Sequence, residues 1–515
     1  MVESAGMIIP EKKDMKKLIV AIIAVSFLFF TACDNSKVQK GDDSEVVNDE
    51  NDNEINDLEN DVTEPDETGE DSADEDVNDA DADFVESLQT GGVVIFSSQS
   101  GDKKNMFSSK TILGQGGFFG YSIFSFNDEY WGIGALHESV PPYDFEKATG
   151  KLYIFKRGKL PETIGDAQFV LTHPDLTINA GFSFTAAGTC DINKDGFDDI
   201  VVSSHLASYG TAYAAGELVV FYGSEDGWSE ENSSISRLSE KYIQQSDCIS
   251  QSLVCGDIDG DGYDDVMAGG QNAGPNLDGG GSPGMVAFFR GSAEGLEENE
   301  YWVLTPLVEA KAQYFGSSMI LEDINGDDQK DLIVAGWGLK ESEEADNTGG
   351  IYIYYGGADW QKGPSETEFG TKDSQFGSVI KMVEVGGKKG IGVLAPNESL
   401  HGNIYFFGAF SSPLEVQNGI LPSDSGAFSD FETVNGVSNY DTLVVAGGKY
   451  FFGGGGLLCA GIGEDYAFEW EICPWQPDGM SGGFGYSVKN IGDINGDNRV
   501  EIVVGMPEYI QTLVE

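Results

Sequence analysis

"GFGYSVKNIGDINGDNRVEIVVG", Gly483 to Gly505, holds three signals in order. An aromatic–small pair comes first, Phe484-Gly485. A loop of alternating oxygen-bearing residues follows, Asp493, Asn495, Asp497 and Glu501. An apolar strand, "EIVVG", then starts inside the loop's last position. The same order recurs towards the N-terminus. The pair or its equivalent appears in "FFGYSI" at Phe118, "GFSFTA" at Gly181, "CISQSL" at Cys248, "YFGSSM" at Tyr314, "QFGSVI" at Gln375 and "AFSDFE" at Ala427. Each is followed by a short apolar run such as "DIVVSS", "DVMAGG" or "DLIVAG". A variable loop and a Gly-led strand such as "TGKLYIF" or "TGGIYIY" come next. Seven such units, at a period of roughly 50 to 67 residues, point to propeller blades or a solenoid; about 61 residues per unit is enough for a four-stranded blade, and an all-β seven-bladed propeller is the expected fold.

The composition agrees. The chain has 515 residues with 69 glycines, and helix-period segments are absent from its folded part. Many short strands joined by Gly-rich turns follow from that usage. The formal net charge is −58. A nucleic-acid binder needs a basic face, and the only arginines are Arg157, Arg237, Arg290 and Arg499, so no nucleic-acid partner is expected.

Four loops carry oxygen ligands at positions 1, 3, 5 and 9: Asp191, Asn193, Asp195 and Asp199; Asp257, Asp259, Asp261 and Asp265; Asp323, Asn325, Asp327 and Asp331; Asp493, Asn495, Asp497 and Glu501. Alternate side chains of a tightly curled loop converge on one point. The carbonyl of position 7 (Phe197, Tyr263, Gln329 or Arg499) brings the set to six or seven oxygens, which suits Ca²⁺. Up to four structural calcium ions are expected. Position 6 needs a left-handed turn; Gly196 and Gly262 supply it, while Asp328 and Asn498 tolerate it less well. The loops at Asp323 and Asp493 are therefore expected to bind more weakly. An EF-hand is excluded, because position 12 is Val202, Ala268, Val334 or Val504, inside a strand. Units one, five and six lack the ligands.

A Phe-Gly pair, an acidic loop and a strand ending in Gly-Ala-Pro-like residues together resemble the FG-GAP repeat of integrin α-subunit propellers and their bacterial relatives. The resemblance covers nearly everything after residue 90. It implies that the face opposite the calcium loops, built from the second-to-third-strand connections at residues 137–149, 203–215, 269–282 and 337–347, is the binding face for a protein or glycan partner. Tyr143, Tyr209 and Trp337 are candidate exposed aromatics there.

The N-terminus reads as an address. Lys16 and Lys17 precede an apolar stretch from Leu18 to Phe30, whose ~13 residues are short of the ~20 a spanning helix needs. "FTAC" ends it, and the whole resembles a bacterial lipoprotein signal, with Cys33 as the lipidated first residue of the mature chain. Residues 1–33 are read as signal and lipobox, 34–89 as an acidic disordered tether, and 90–515 as the propeller. The tether has no Lys or Arg between Lys40 and Lys103 and repels itself. The expected product is an exported, lipid-anchored envelope protein acting as a binding or adhesion module, touching the membrane through its lipid only. The alternatives are an envelope polysaccharide hydrolase or lyase, or a scaffold within an envelope complex.

No catalytic constellation is evident. Two G-x-S-x-G matches, Gly280 to Gly284 and Gly479 to Gly483, lack the strand-to-helix setting of a nucleophile elbow. His137, His173, His205 and His401 have no zinc-type spacing. Cys459 and Cys473 form a candidate local disulfide; at most one pair forms among Cys190, Cys248 and Cys255, leaving one thiol over. The last unit has no Gly-led strand of its own, whereas "TGGVVIF", Thr90 to Phe96, belongs to no unit. Residues ~90–117 are therefore expected to complete the seventh blade and close the ring.

Overall fold

The computed structural model describes residues 86–513, except 90, 100–106, 116, 139–148, 176–179, 211, 243–246, 275–281, 386–387, 399–401, 409–412, 416–428, 438–439, 449–455, 463–470, 474–482 and 508–509. The signal, Cys33, most of the tether, Tyr143 and His401 lie outside those residues. No helix among the described residues is long and apolar enough to cross a membrane.

Seven four-stranded antiparallel sheets form the ring. Their first strands are Phe119–Ser125, Phe182–Cys190, Ser252–Gly256, Ser318–Glu322, Val379–Val385, Asp430–Val437 and Val488–Gly492, in blades one to seven. Each first strand packs beside that of the next blade, and the seventh returns to the first, so these strands are the inner wall of a closed propeller. Second strands are buried on both faces in blades two, three, four and seven: Asp199–Ser204, Asp265–Gly270, Asp331–Gly336 and Glu501–Gly505 hold no exposed residue. That is why these strands read as continuous apolar runs instead of alternating ones. The apolar side chains segregate into layers between adjacent blades. One joins Val201, Leu218 and Val220 of blade two to Val266, Ala268 and Met285 of blade three.

Blade seven is made from both ends of the chain, as expected. Its strand order is Val488–Gly492, Glu501–Gly505, Gly92–Ser98, Phe107–Leu113. Val94 opposes Val504 and Ile95 opposes Val503. A second clasp was not anticipated: Glu86–Gln89 pairs antiparallel with Ile510–Leu513. The described residues thus begin at Glu86, inside the segment read as tether. Glu501–Gly505 runs away from its acidic loop, so this clasp lies on the face opposite the acidic loops.

The small residue of the aromatic–small pair has a steric reason in blades one to five and seven. Gly120 has φ +86°, and a Cβ there would lie 2.2 Å from the carbonyl oxygen of Gly92, the first residue of the preceding blade's third strand. The position is Ser in blades two, three and six, and in blades two and three it keeps a positive φ (Ser183 +67°, Ser250 +74°). Their hydroxyls donate to the matching carbonyls, Lys151 O at 2.8 Å and Glu217 O at 2.9 Å. The pair is therefore an inter-blade clamp. Gly120→Val should cost about 3 kcal/mol or more, through backbone strain plus overpacking, read as a lowered denaturation midpoint with unchanged slope.

Two disulfides join cysteines among the described residues. Cys190–Cys255 ties the inner strands of blades two and three (Cα–Cα 6.0 Å), and Cys459–Cys473 lies within blade six (5.1 Å). Cys248 is buried, and Cys190–Cys255 is the one pair formed among Cys190, Cys248 and Cys255.

Candidate metal centres

All four acidic loops join a blade's first strand to its second, and they fold alike. The position-1 carboxylate sits at the hub. In blade two, Asp191 accepts from the amides of Asp195 (2.9 Å) and Gly196 (3.1 Å). In blade four, Asp323 accepts from Gly326 (2.7 Å), Asp327 (3.2 Å) and Asp328 (2.8 Å). In blade seven, Asp493 accepts from Gly496 (2.7 Å) and Asn498 (2.7 Å). Desolvation tends to raise the pKa of Asp323 and Asp493, but these amides outweigh it and hold both carboxyls below the usual range. Position 6 takes the left-handed turn in every loop: Gly196 +89°, Gly262 +85°, Asp328 +65°, Asn498 +63°. The non-glycine loops therefore reach the same backbone shape, at a conformational cost.

The position-9 carboxylate is the buried anchor. One oxygen of Asp199, Asp265 or Asp331 accepts from the amide of position 2, each at 2.9 Å. The other accepts from a glycine just after the third strand: Gly223 (2.8 Å), Gly291 (2.9 Å) or Gly356 (2.7 Å). The loop is thereby locked to the third-to-fourth-strand turn on the same face. Glu501 keeps the first bond, to Ile494 N at 2.7 Å, but its buried Oε1 accepts from no backbone amide.

Asp199 and Asp265 are fully buried, and desolvation pushes both pKa values up to about 7, with neighbouring carboxylates adding to the rise. A buried carboxylate held among others is costly when ionised and uncompensated. A divalent cation removes that cost. In blade three, Asp257, Asp259 and Asp265 bring carboxylate oxygens within 4.8 Å of one another. An all-oxygen donor set on a curled loop fits Ca²⁺ by its chemistry. Asp191, Asp257, Asp323 and Asp493 with their loop partners would hold the ions, and a bound ion supplies fixed positive charge that cross-links strand, loop and turn.

The pH dependence follows with a definite sign. Between the ordinary aspartate pKa of about 3.9 and about 7, the metal-free folded state binds protons at Asp199 and Asp265 that the unfolded chain does not. In excess chelator, these two groups should raise the melting temperature as pH falls from 8 to 6. With calcium present, protons compete with the ion, so the calcium-dependent increment should shrink over the same interval. Thermal scans at both pH values, with and without chelator, check both signs.

The sequence reading missed the residues at position 8. Asp264 Oδ2 accepts from Asp191 N at 2.8 Å, and Asp198 Oδ2 accepts from Asn127 Nδ2 at 2.7 Å. Each carboxylate reaches the preceding blade's corresponding turn. The doublets Asp198-Asp199 and Asp264-Asp265 were the available signal. Blades lacking ligands hold the turn otherwise. In blade one, Asn127 Oδ1 accepts from Glu129 N (2.9 Å) and Tyr130 N (2.8 Å). In blades five and six the connection shortens to a tight hairpin, Val385 opposing Lys388 and Val437 opposing Tyr440. Their inner strands are stitched by Lys381, which is 2.7 Å from Asp430 and donates to Val488 O at 3.0 Å, spanning blades five, six and seven.

On the opposite face, Tyr486, Tyr121 and Phe184 occupy the same position in blades seven, one and two, two residues after the Phe of each pair. The remaining blades have Gln251, Ser317, Ser378 and Asp430 there. The three half-buried rings form an arc: Tyr486–Tyr121 centroids lie 4.8 Å apart and Tyr121–Phe184 5.4 Å, with Tyr486 Oη and Tyr121 Oη 2.7 Å apart. His205 lies against Phe184 at 4.1 Å. Burial lowers the His205 and His137 pKa values to about 3 and about 4, so both are neutral at pH 7. Tyr209 and Trp337 are half-buried rather than exposed. Arg237 covers Tyr209 at 5.2 Å, and Trp337 stacks on Tyr314 at 3.4 Å.

The first G-x-S-x-G match does not form a nucleophile elbow. Gly284 leads directly into Met285–Phe289 with no helix. His173 is buried against Glu217 (2.6 Å), which Arg237 also meets at 2.6 Å. This trio has no nucleophile within it and ties segments together.

Residues 173–221 match the family model described as the FG-GAP repeat. Similar curated proteins include integrin alpha-IIb of Mus musculus, 29% identical over 124 residues, which covers 24% of this chain and 11% of that protein. Integrin alpha-E of Mus musculus is 27% identical over 142 residues, covering 26% and 12%. Integrin alpha-IIb of Homo sapiens is 28% identical over 124 residues, covering 24% and 11%. The matched region is thus only about a tenth of each relative's length. Among solved structures, the BP39L lectin from Burkholderia pseudomallei aligns with 77% of this chain and 97% of its own, at 13% identity and a TM-score of 0.38. That superposition is too loose to carry an argument.

Proposed function

We propose that this integrin-like FG-GAP β-propeller is a non-enzymatic binding or adhesion module whose ring is stabilised by calcium in four loops. It engages a protein or glycan through the face opposite those loops. The carrying observation is the aromatic arc of Tyr486, Tyr121 and Phe184. Half-exposed rings on a rigid scaffold are an economical contact surface. The clasp of Glu86–Gln89 with Ile510–Leu513 roots the acidic N-terminal segment on that same face. With a chain-wide net charge of −58, the protein favours neutral or cationic partners over anionic ones. The reading of residues 1–33 as a lipoprotein signal, with Cys33 lipidated, places the module on a bacterial envelope, the outer membrane or cell surface before the inner membrane.

The test is a parallel screen of immobilised glycans and envelope proteins, using the mature chain and its Tyr121→Ala/Tyr486→Ala variant. Retention of one ligand class by the native chain, reduced at least tenfold in the variant, supports the proposal. Turnover of a polysaccharide would replace it with the hydrolase or lyase reading.

A further inference from the structure

The blade-three loop differs from the other three at two places. Position 3 is Asp259, where the others have Asn193, Asn325 and Asn495. The residue after the third strand is Arg290, where blades two and four have Tyr222 and Tyr355 at the corresponding place before the anchoring glycine. The two differences meet in space. Arg290 Nε is 2.7 Å from Asp259 Oδ2, and its Nη2 is 2.8 Å from Asp261 Oδ2. Asp261, the fourth expected ligand, stands outside the group formed by Asp257, Asp259 and Asp265. Its Oδ1 accepts from Tyr263 N at 3.0 Å. Among the described residues, no other acidic loop has its metal-ligand side chains ion-paired to a cation.

We propose that Arg290 is a built-in counter-ion of the blade-three loop: it offsets the extra carboxylate of Asp259, holds the loop in shape without metal, and weakens calcium binding there. The proposal rests on the calcium reading above. Ligand charge count tunes calcium affinity in oxygen-ligand loops. Asp257, Asp259, Asp261 and Asp265 give four negative charges against three in each of the other loops, so this site alone would be the tightest. A guanidinium on two of the four returns the net charge to that of the other loops. It also repels a divalent ion at close range, and it claims one oxygen from each of two ligands. Arg290 also holds those two side chains in place, which favours binding. Repulsion acts on both charges of the ion and outweighs this gain.

The experiment uses the mature chain, Arg290→Gln, and Asp259→Asn/Arg290→Gln. Each is titrated with calcium by calorimetry and melted in excess chelator. Arg290→Gln should gain at least tenfold in affinity at one site and melt lower in chelator. The double variant should return to within about threefold of the native affinity and recover the chelated melting temperature. An affinity in Arg290→Gln that is unchanged within twofold, or weaker, would overturn the proposal. If no variant binds calcium, the calcium reading itself fails. The chelator melts then decide the remainder: a drop in Arg290→Gln upholds the counter-ion, and no drop removes it.

Discussion

A chain lacking Gly92–Ser98 does not fold to a soluble monomer. This strand is the third of blade seven, and its loss strips both flanking strands of the hydrogen bonds they make to it. Val93, Val94, Ile95 and Phe96 are at most 1% exposed. At roughly 1.5–3 kcal/mol for each large apolar side chain, the four contribute on the order of 6–12 kcal/mol, an upper estimate because unfolded chains bury some surface. That equals the whole stability of a typical domain, about 5–15 kcal/mol. The exposed edges of Glu501–Gly505 and Phe107–Leu113 would also template aggregation. Size-exclusion chromatography and circular dichroism of the deletant read the outcome. A monomeric deletant with native strand content would show that the ring closes by another route. Phe96→Ala provides a graded version. It should cost about 3–5 kcal/mol, because Phe96 packs edge-on to Phe484, the aromatic of the seventh unit's own pair, at 6.3 Å.

Calcium removal has the second largest expected effect. Each ion at a hundredfold excess over its Kd stabilises the folded state by about 2.7 kcal/mol, so four contribute on the order of 10 kcal/mol. For a chain of this size the melting temperature should fall by more than about 10 °C in excess chelator, at roughly 2 °C or more per kcal/mol. The drop should be fully restored by calcium and only weakly by magnesium, whose near-ideal octahedron these longer oxygen cages do not suit. Unequal restoration at limiting calcium would follow the loops: blade two should load early, and blade seven later, because Glu501 lacks the second amide that anchors Asp199 and its counterparts.

The ring was legible because its unit is local. A Phe-Gly pair, a nine-residue loop and a strand fall within about twenty-five residues, and each part has its own residue chemistry. Closure was legible for the complementary reason: one unit lacked a Gly-led strand and one Gly-led strand lacked a unit. What escaped depends on contacts between blades. Asp264 and Asp198 look like spare acids in sequence, and their partners lie 73 and 71 residues away. Lys381 carries no motif at all, yet it joins three inner strands. Ser183 and Ser250 broke the Phe-Gly pattern on paper but serve the same clamp, by hydrogen bonding where glycine serves it by lacking a Cβ. Tyr209 and Trp337 were read as exposed because they sit in long loops. Sequence could not show that Arg237 and Tyr314 cover them. The aromatic arc needed the ring itself, since only closure sets blade seven beside blades one and two.

The central claim is that four acidic loops each hold one structural calcium ion. Metal content of the mature chain after exhaustive buffer exchange in calcium, measured by mass spectrometry of the native protein, addresses it most directly. The expected count is four per chain, falling to three in Asp191→Ala, Asp323→Ala or Asp493→Ala, each with a lowered melting temperature. A native chain that carries no calcium and melts at the same temperature in chelator would contradict it.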